Sequence, residues 1–318
     1  MKNPIQGQKG MSLNQFLEKY GSEAQCEEAL ERFRWPDGFV CPSCDCRQFC
    51  RVWHGRVRTF QCNACHKQVT LTSGTLFHST KLPLTLWFQA IYFLSQTKNA
   101  ISTMELMRRL GICYRSAWRM RHKLMQAMVE QEEPRRIGGR VELDDAYLGG
   151  ERTGGSVGRG SENKVPFVAA VQTDAQRRPQ RVLLTKIPSF KSVDIETWAR
   201  RRLESSAHVV TDGFKGFGGI SKAGCVREAI VGGVTGKKSA QIPAFHWVNT
   251  ILGNVKTAFD DAFHGFEFNK YGSRYLSEVQ YRFNRRYDLA GLFTQLLTAA
   301  AINPPRPEAW LRLAEDQR

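Results

Sequence analysis

Two closely spaced cysteine pairs constrain the fold of this 318-residue chain more than any other feature. Cys41 and Cys44 form one Cys-x-x-Cys pair, and Cys62 and Cys65 form a second pair after a spacer of seventeen residues. Two residues between thiolates allow one tight turn to present both sulfurs to a tetrahedral ion, and this spacing is typical of four-thiolate zinc sites. Four protein sulfurs leave no open coordination position, so the sequence predicts a zinc ribbon whose Zn²⁺ is structural.

Other potential ligands lie near these pairs without a partner at the same spacing. They are Cys46, Cys50, His54 and His66. We therefore expect these side chains to belong to the framework or to the surface of the ribbon. A segment this small buries too little to be stable alone, so metal binding is expected to supply much of its folding free energy.

The balance of charge predicts an anionic partner. Lys and Arg number 46 against 30 Asp and Glu, which gives a formal net charge of +16. An excess of this size repels itself unless a polyanion is bound, and nucleic acid is the most common one. The 42% of hydrophobic residues is close to the globular average and excludes wholesale disorder. No apolar run is long enough for a membrane span or a secretory signal, so we expect a cytoplasmic protein without a membrane partner.

The stretch from Ser102 to Met128 has the pattern of a helix-turn-helix. Two helical patterns flank Gly111, Ser102 can cap the first helix, and Glu105 can complete a capping box. The second helix is predicted to begin near Tyr114, and it is strongly basic. Its candidate DNA-binding side chains are Arg115, Arg119, Arg121 and Lys123. A basic second helix after a short turn is how such motifs enter a major groove, although an ordinary helical hairpin with a solvated basic face has the same pattern.

The order of helical and strand-like patterns predicts an α/β chain. Beyond a charged linker at 130–139, short β-branched runs alternate with helical patterns, which is typical of a layered α/β domain with its own core. We expect five regions: an N-terminal helical segment at 11–37, the zinc ribbon at 38–76, a helical DNA-binding region at 82–130, the α/β domain at 138–290 and a C-terminal helical tail at 291–318.

Two acidic residues end neighbouring strand patterns in the α/β domain. Asp144 lies in VELDDAYL and Asp212 in HVVTDGF. Carboxylates at the ends of adjacent strands converge at one edge of a sheet, where such a pair can hold two Mg²⁺ ions for work on a phosphodiester. An Asp at a strand end is, however, more often a turn former. Asn249 and Lys256 support the metal-site interpretation. They are seven residues apart, almost two helical turns, so they share one face of a helix. An amide oxygen can bind a metal ion, and a lysine can contact a phosphate.

Five stretches together resemble a known family. They are CPSC…CNAC, VELDDAYLGG, VVTDGFKGF, HWVNT…K and YLSEVQYRFNRR. The chain resembles a bacterial insertion-sequence transposase of the DDE superfamily, in the branch with an N-terminal zinc ribbon and an Asp-Asp-Asn-Lys catalytic set. The resemblance implies an RNase H-like catalytic fold after the zinc ribbon and helix-turn-helix, with Mg²⁺ or Mn²⁺ as the catalytic ion. It implies that Asp144 and Asp212 bind metal, that Asn249 is the third metal ligand, and that Lys256 contacts DNA.

Two alternatives at the acidic positions stay open. Asp145 follows Asp144 directly, so either member of the pair is a candidate ligand. Glu278 is the alternative to Asn249 at the third position and would supply a third carboxylate. Arg274 and Arg282 lie four residues away on either side and favour a salt bridge instead.

The resemblance also implies the partners and the reaction. The expected partner is double-stranded DNA, both the terminal inverted repeats of the element and the target. A homo-oligomer on DNA is expected because two ends must be joined, and the bound protein would be associated with the bacterial nucleoid. Two other functions stay open: a non-enzymatic zinc-ribbon and helix-turn-helix regulator, and an RNase H-like nuclease that cuts without joining.

Overall fold

The computed structural model describes residues 8–55, 57–97, 100–149, 164–231, 242–262 and 266–313. The chain forms two compact units: the first comprises Met1–Ala127 with Tyr287–Leu311, and the second comprises Met128–Arg286 with Arg312–Arg318. None of the described helices combines the length and the apolar character needed to cross a lipid bilayer.

The elements follow the expected mixture of helices and strands. The helices are α1 (Leu13–Tyr20), α2 (Glu23–Arg34), α3 (Leu84–Gln96), α4 (Thr103–Leu110), α5 (Tyr114–Glu132), α6 (Ser192–Arg202), α7 (Gly218–Lys222), α8 (His246–Ala262), α9 (Phe268–Asn284), α10 (Leu289–Ile302) and α11 (Glu308–Arg312). The strands are β1 (Phe49–His54), β2 (Val57–Cys62), β3 (Gln68–Thr70), β4 (Arg140–Leu148), β5 (Val165–Thr173), β6 (Pro179–Lys186), β7 (His208–Thr211) and β8 (Val226–Ala229).

The helices of the first unit pack around a cluster of aromatic rings. Phe16 of α1 contacts Phe293 of α10 with ring centroids 5.8 Å apart, and Phe88 of α3 lies 6.2 Å from the same ring. Helix α10 is apolar on most of its surface, so it needs partners on several sides, and it packs against α2 and α3. The helical tail predicted at 291–318 contains most of α10 and all of α11, and residues Tyr287–Leu311 belong to the first unit.

The zinc ribbon is a three-stranded antiparallel sheet in the order β1-β2-β3. Strands β1 and β2 form a hairpin that fills the spacer between the two cysteine pairs, and β3 follows the second pair. The aromatic rings of Phe39, Phe49 and Phe60 pack on one another with centroids 5.0 to 5.6 Å apart. This small cluster is the apolar core that accompanies the metal-ligand cysteines.

The second unit is built on a five-stranded sheet in the order β6-β5-β4-β7-β8. Strands β4, β5 and β6 are antiparallel neighbours, whereas β7 and β8 run parallel to β4. If the five strands are numbered in chain order from β4 to β8, their order across the sheet is 3-2-1-4-5, and only the second strand, β5, is antiparallel to the others. This is the RNase H-like arrangement that the resemblance implies. Val141 and Leu143 of β4 join the core cluster around α6. Because side chains alternate along a strand, Glu142 and Asp144 face the other side, where α8 packs on β4 and β5.

Side chains of α9 and of the residues that follow it occupy the outer edge of the sheet at β6. Asn284 accepts a hydrogen bond from the Val182 N–H at 2.8 Å and donates one to the Val182 carbonyl at 3.0 Å. Gln280 accepts from the Leu184 N–H at 2.8 Å, and Arg286 donates to the Gln180 carbonyl at 3.1 Å. Polar side chains thus satisfy backbone groups of an edge strand that would otherwise be exposed.

A buried ion pair joins the end of α5 to the region of α9. The Arg285 guanidinium lies 2.5 Å from a carboxylate oxygen of Glu132, and both side chains are almost wholly buried. Gln280 and Asn284 donate to the other oxygen of Glu132 at 2.9 and 2.8 Å. Burial by itself would raise the pKa of Glu132, but these hydrogen bonds and the Arg285 charge lower it overall.

Candidate metal and DNA sites

The two cysteine pairs form matched turns. In the first, Asp45 donates its N–H to the Cys41 carbonyl at 3.0 Å, and in the second, His66 donates to the Cys62 carbonyl at the same distance. Both donors have a left-handed backbone, with φ of 57° and 56°, a conformation in which Asp and His are enriched among residues other than glycine. His66 therefore shapes the turn, in agreement with its expected role in the framework.

The four thiols fit a tetrahedral ion. The Sγ atoms of Cys41, Cys44, Cys62 and Cys65 lie within 4.8 Å of one another. Cys41 Sγ is 3.6 Å from Cys65 Sγ, and Cys44 Sγ is 3.6 Å from Cys62 Sγ. Ligands about 2.3 Å from a tetrahedral ion are roughly 3.8 Å apart, whereas a disulfide requires about 2.05 Å. The set is therefore that of a structural Zn²⁺ site. Hydrogen bonds from backbone N–H groups, first that of Cys65, lower the pKa of the Cys62 thiol to about 6, whereas hydrogen bonds with the neighbouring thiols of Cys65 and Cys62 raise the pKa of Cys44 to about 12.

The sheet of the second unit brings the predicted acidic residues together. Strands β4 and β7 pair in parallel with Glu142 opposite Val210, and two further residues in this register place Asp144 level with Asp212. Carboxylate oxygens of Asp144, Asp145 and Asp212 lie within 4.8 Å of one another. The cluster contains both members of the Asp144–Asp145 pair, and it does not contain Glu278, which is buried within α9.

Local hydrogen bonds shape the backbone on both sides of this cluster. Asp212 follows β7 directly, and its Oδ1 accepts the N–H of Phe214 at 2.9 Å, which closes the turn. Arg227 of β8 donates to the carbonyls of Asp212 and Phe214 at 2.9 and 3.1 Å. Sequence reasoning missed Arg227, because only the pairing of β7 with β8 brings it to this turn.

Asn249 and Lys256 lie on α8, as the helical spacing predicts. The apolar side of this helix is formed by Val248, Ile251 and Val255, which are buried. Asn249 is half-buried, and its side-chain nitrogen is enclosed without a hydrogen-bond partner in the described part of the chain. Lys256 is exposed. The helix thus presents the half-buried amide of Asn249 and the exposed ammonium group of Lys256, which a phosphate can reach.

Glu142 anchors the start of α8 and was also missed by sequence reasoning. Its carboxylate accepts the N–H of Trp247 at 2.8 Å and that of Val248 at 3.2 Å, and Arg140 donates to its other oxygen at 3.1 Å. The available signal was an acid between the apolar residues Val141 and Leu143, which precedes Asp144 by two residues and therefore shares its face.

The helix-turn-helix pattern is confirmed as two helices, α4 and α5, with Gly111 between them in a left-handed conformation. Ser102 accepts the N–H of Glu105 at 3.1 Å, whereas the Glu105 side chain pairs with Arg109. Arg115 and Arg119 of α5 are exposed, as a DNA contact requires.

The other two basic residues predicted to contact DNA bond to carbonyl groups within the protein. The burial of Arg121 contradicts its prediction, whereas Lys123 is half-buried and its contact with DNA stays a prediction. Arg121 is fully buried, and its Nε donates to the Ile101 carbonyl at 2.9 Å. Its position relative to Ala117 and Leu124, at steps of four and three residues, places it on the apolar side of α5. The ammonium of Lys123 donates to the Leu76 carbonyl at 2.9 Å, and burial lowers its pKa to about 8.

Comparisons with known proteins agree with these sites. Residues 136–284 match the ISXO2-like transposase domain, and residues 21–68 match the transposase zinc-ribbon domain. An "uncharacterized protein in transposable element ISH50" of Halobacterium salinarum is 27% identical over 222 residues, which cover 63% of this chain and 71% of the relative. A solved Mos1 transposase paired-end complex with left transposon end aligns over 66% of this chain and 77% of that chain at 10% identity, with a TM-score of 0.21, too low to support an argument.

The zinc-ribbon match contains the four clustered thiols, and the ISXO2-like match contains the three clustered carboxylates. These findings confirm the family that the sequence resembles, and they agree with the expected order of a zinc ribbon followed by an α/β catalytic fold. Residues 21–68 thus carry a transposase zinc-ribbon domain and residues 136–284 an ISXO2-like transposase domain, the order of the zinc-ribbon branch of the DDE transposases that the sequence resembles.

Proposed function

We propose that this chain moves an insertion sequence: it binds the ends of the element, hydrolyses a phosphodiester bond at each end and joins the freed 3′-hydroxyl to target DNA. The observation that carries the proposal is the cluster of Asp144, Asp145 and Asp212 carboxylates on the matched transposase domain. Three like charges this close repel one another unless a cation neutralises them, and carboxylate oxygens are the ligands that Mg²⁺ and Mn²⁺ prefer.

We assign the metal-ligand roles to Asp144, Asp212 and Asn249. Asp144 lies on β4 and Asp212 directly after the neighbouring strand β7, and their carboxylates are clustered. The half-buried amide of Asn249 offers an oxygen with no added charge. Divalent ions in such a site activate the attacking oxygen and stabilise the leaving oxygen of an in-line displacement. Asp145 adds a third negative charge beside them, which compensates for an amide in the third position.

The remaining roles concern DNA binding. Lys256, exposed two turns after Asn249, contacts a phosphate near the scissile bond, and Arg115 and Arg119 of α5 contact the terminal inverted repeat. The protein works as a homo-oligomer, because two ends are processed together, and its place of action is the cytoplasm, at the nucleoid. The chain's own task in the reaction is to position the DNA and to stabilise the charge that develops at the reacting phosphate, since no covalent protein intermediate is needed.

The test uses the full-length protein with two labelled element ends, one intact to report cleavage and one precut to report joining, together with Mg²⁺ or Mn²⁺ and a target plasmid. We expect joined product from the unaltered protein and none from D144N or D212N, with end binding retained by both variants. Joining that survives in these variants would overturn the proposal. Uncut but bound DNA from the unaltered protein would indicate a regulator, and cleavage without joining would indicate a nuclease.

A further inference from the structure

A buried carboxylate connects the strand of Asp144 to the helix of Asn249. Glu142 is 1% exposed and lies on β4, two residues before Asp144 and on the same face. Its Oε2 accepts the N–H groups of Trp247 and Val248, at 2.8 and 3.2 Å, in the first turn of α8. Val248 is the residue directly before Asn249, so the contact lies one residue away from the third member of the catalytic set.

The first N–H groups of a helix have no acceptor within the helix, and a local Ser, Thr, Asp or Asn usually supplies one. The residues that lead into α8 are Pro243, Ala244 and Phe245, none of which has such a side chain. The acceptor therefore comes from a different element of the fold. A carboxylate is suited to this place, because the N-terminus of a helix carries partial positive charge.

The cost of burying this charge indicates a specific role. A buried carboxylate is destabilising unless its oxygens are well bonded, and Glu142 meets that condition with three N–H donors, since Arg140 bonds its Oε1 at 3.1 Å. The result is a fixed link in which one side chain sets the distance between β4 and the first turn of α8. An apolar side chain at this position would pack against α8 without fixing its register.

We propose that Glu142 is a positioning residue of the catalytic site, which holds Asn249 in register with Asp144. This role rests on the proposed function. Glu142 acts through α8 and does not itself touch DNA or metal. A shift of the first turn of α8 would move the Asn249 amide relative to the carboxylate cluster, and a displacement of about 1 Å at a reacting centre lowers a rate by about 100-fold.

The test compares E142L with R140Q in the full-length protein. Leucine is of similar size but has no acceptor, so the two N–H groups that share Oε2 of Glu142 lose their partner. R140Q removes only the partner of the other carboxylate oxygen and leaves the acceptor for α8 in place. Hydrogen exchange measured at residues 247 and 248 should be faster in E142L and unchanged in R140Q. Equal exchange in E142L and the unaltered protein would overturn the proposal.

The functional part of the test is a double-mutant cycle with N249A. If Glu142 acts through Asn249, E142L and N249A each reduce joining from a precut end by about 100-fold, and the double variant is no slower than N249A alone. If the losses of the two single variants multiply in the double variant while D144N is inactive, the role of Glu142 is overturned and the proposed function stands. Joining that persists in D144N would overturn the proposed function and this role with it. Affinity for the DNA end should be the same in every variant.

Discussion

Glu308 of α11 accepts hydrogen bonds from Nε of Arg115 through both carboxylate oxygens, each at 3.2 Å. The Arg119 guanidinium lies 3.6 Å from the same carboxylate. Both arginines are on the exposed side of α5, where the helix-turn-helix would meet DNA. One acid at the C-terminal end of the first unit therefore competes with phosphate for the two cations that the proposed function assigns to DNA.

Removing this competition should strengthen DNA binding. We expect E308Q to bind an element-end duplex more tightly by about 1 kcal/mol, with a steeper dependence of affinity on salt, because Arg115 and Arg119 are released to phosphates. Fluorescence anisotropy at several salt concentrations measures both quantities. E105Q is the control, since Glu105 pairs with Arg109 on α4, away from Arg115 and Arg119. Weaker binding by E308Q would mean instead that Glu308 holds the arginines in their DNA-binding geometry.

Arg115 and Arg121 should respond in opposite ways to substitution. R115A removes an exposed cation, so we expect weaker DNA binding and a salt slope reduced by about one, without loss of stability. R121M removes the donor to the buried Ile101 carbonyl, so we expect a loss of about 1–3 kcal/mol in the free energy of unfolding and an unchanged salt slope. Urea denaturation and the same anisotropy titration distinguish the two. A salt slope reduced in R121M would show that Arg121 reaches DNA.

Loss of zinc should unfold the ribbon. We expect C62S to lose its bound Zn²⁺ and the sheet of β1 to β3, because four thiolates and the metal replace a larger apolar core. Zinc released on treatment with a thiol-specific reagent, together with hydrogen exchange across 38–76, measures the effect. C46S and C50S are the controls, since both thiols lie outside the clustered set of four and should retain one zinc per chain. Zinc lost from either control would mean that the ligand set is different.

The ion pair of Glu132 with Arg285 should make stability depend on pH. The folded-state pKa of Glu132 is lowered, so its contribution is complete above the unfolded value near 4.5 and is lost as the pH falls below that value. E132Q should cost about 3–5 kcal/mol at pH 7, since Arg285 stays buried without its counter-charge, and the difference from the unaltered protein should shrink in acid. Urea denaturation at pH 7 and pH 4 tests this.

Glu133 provides the neighbouring control for that prediction. Its carboxylate pairs with Arg201, and both side chains are at least half exposed. Exposed pairs contribute about 1 kcal/mol or less, so E133Q should have little effect at either pH. Equal losses in E132Q and E133Q would contradict the importance assigned to the buried pair.

The sequence predicted the features that local spacing determines. The zinc ligands follow from two Cys-x-x-Cys pairs, and the shared face of Asn249 and Lys256 follows from helical geometry. The convergence of Asp144 and Asp212 was predicted from strand ends, and the parallel register of β4 with β7 explains it. Arg121 was misplaced because its charge was given more weight than its position on the apolar side of α5.

Other features depend on contacts that no local pattern encodes. Glu142 and Trp247 are 105 residues apart in the chain, and their hydrogen bond exists only because α8 packs on β4. The placement of α10 with α2 and α3 has the same origin, since an apolar helix reveals that it needs partners but not which partners it finds.

The polar side chains that line β6 have a consequence for crowding on DNA. Copies of a protein gathered on one piece of DNA reach high local concentrations, at which an exposed strand can recruit a strand from a neighbour. Gln280, Asn284 and Arg286 already fill that margin, so adding a foreign strand there would require three side chains to leave. Neighbouring copies can therefore contact one another through their side chains but not by pairing a strand with β6. Growth of fibres by strand addition is thereby suppressed at this edge of the sheet.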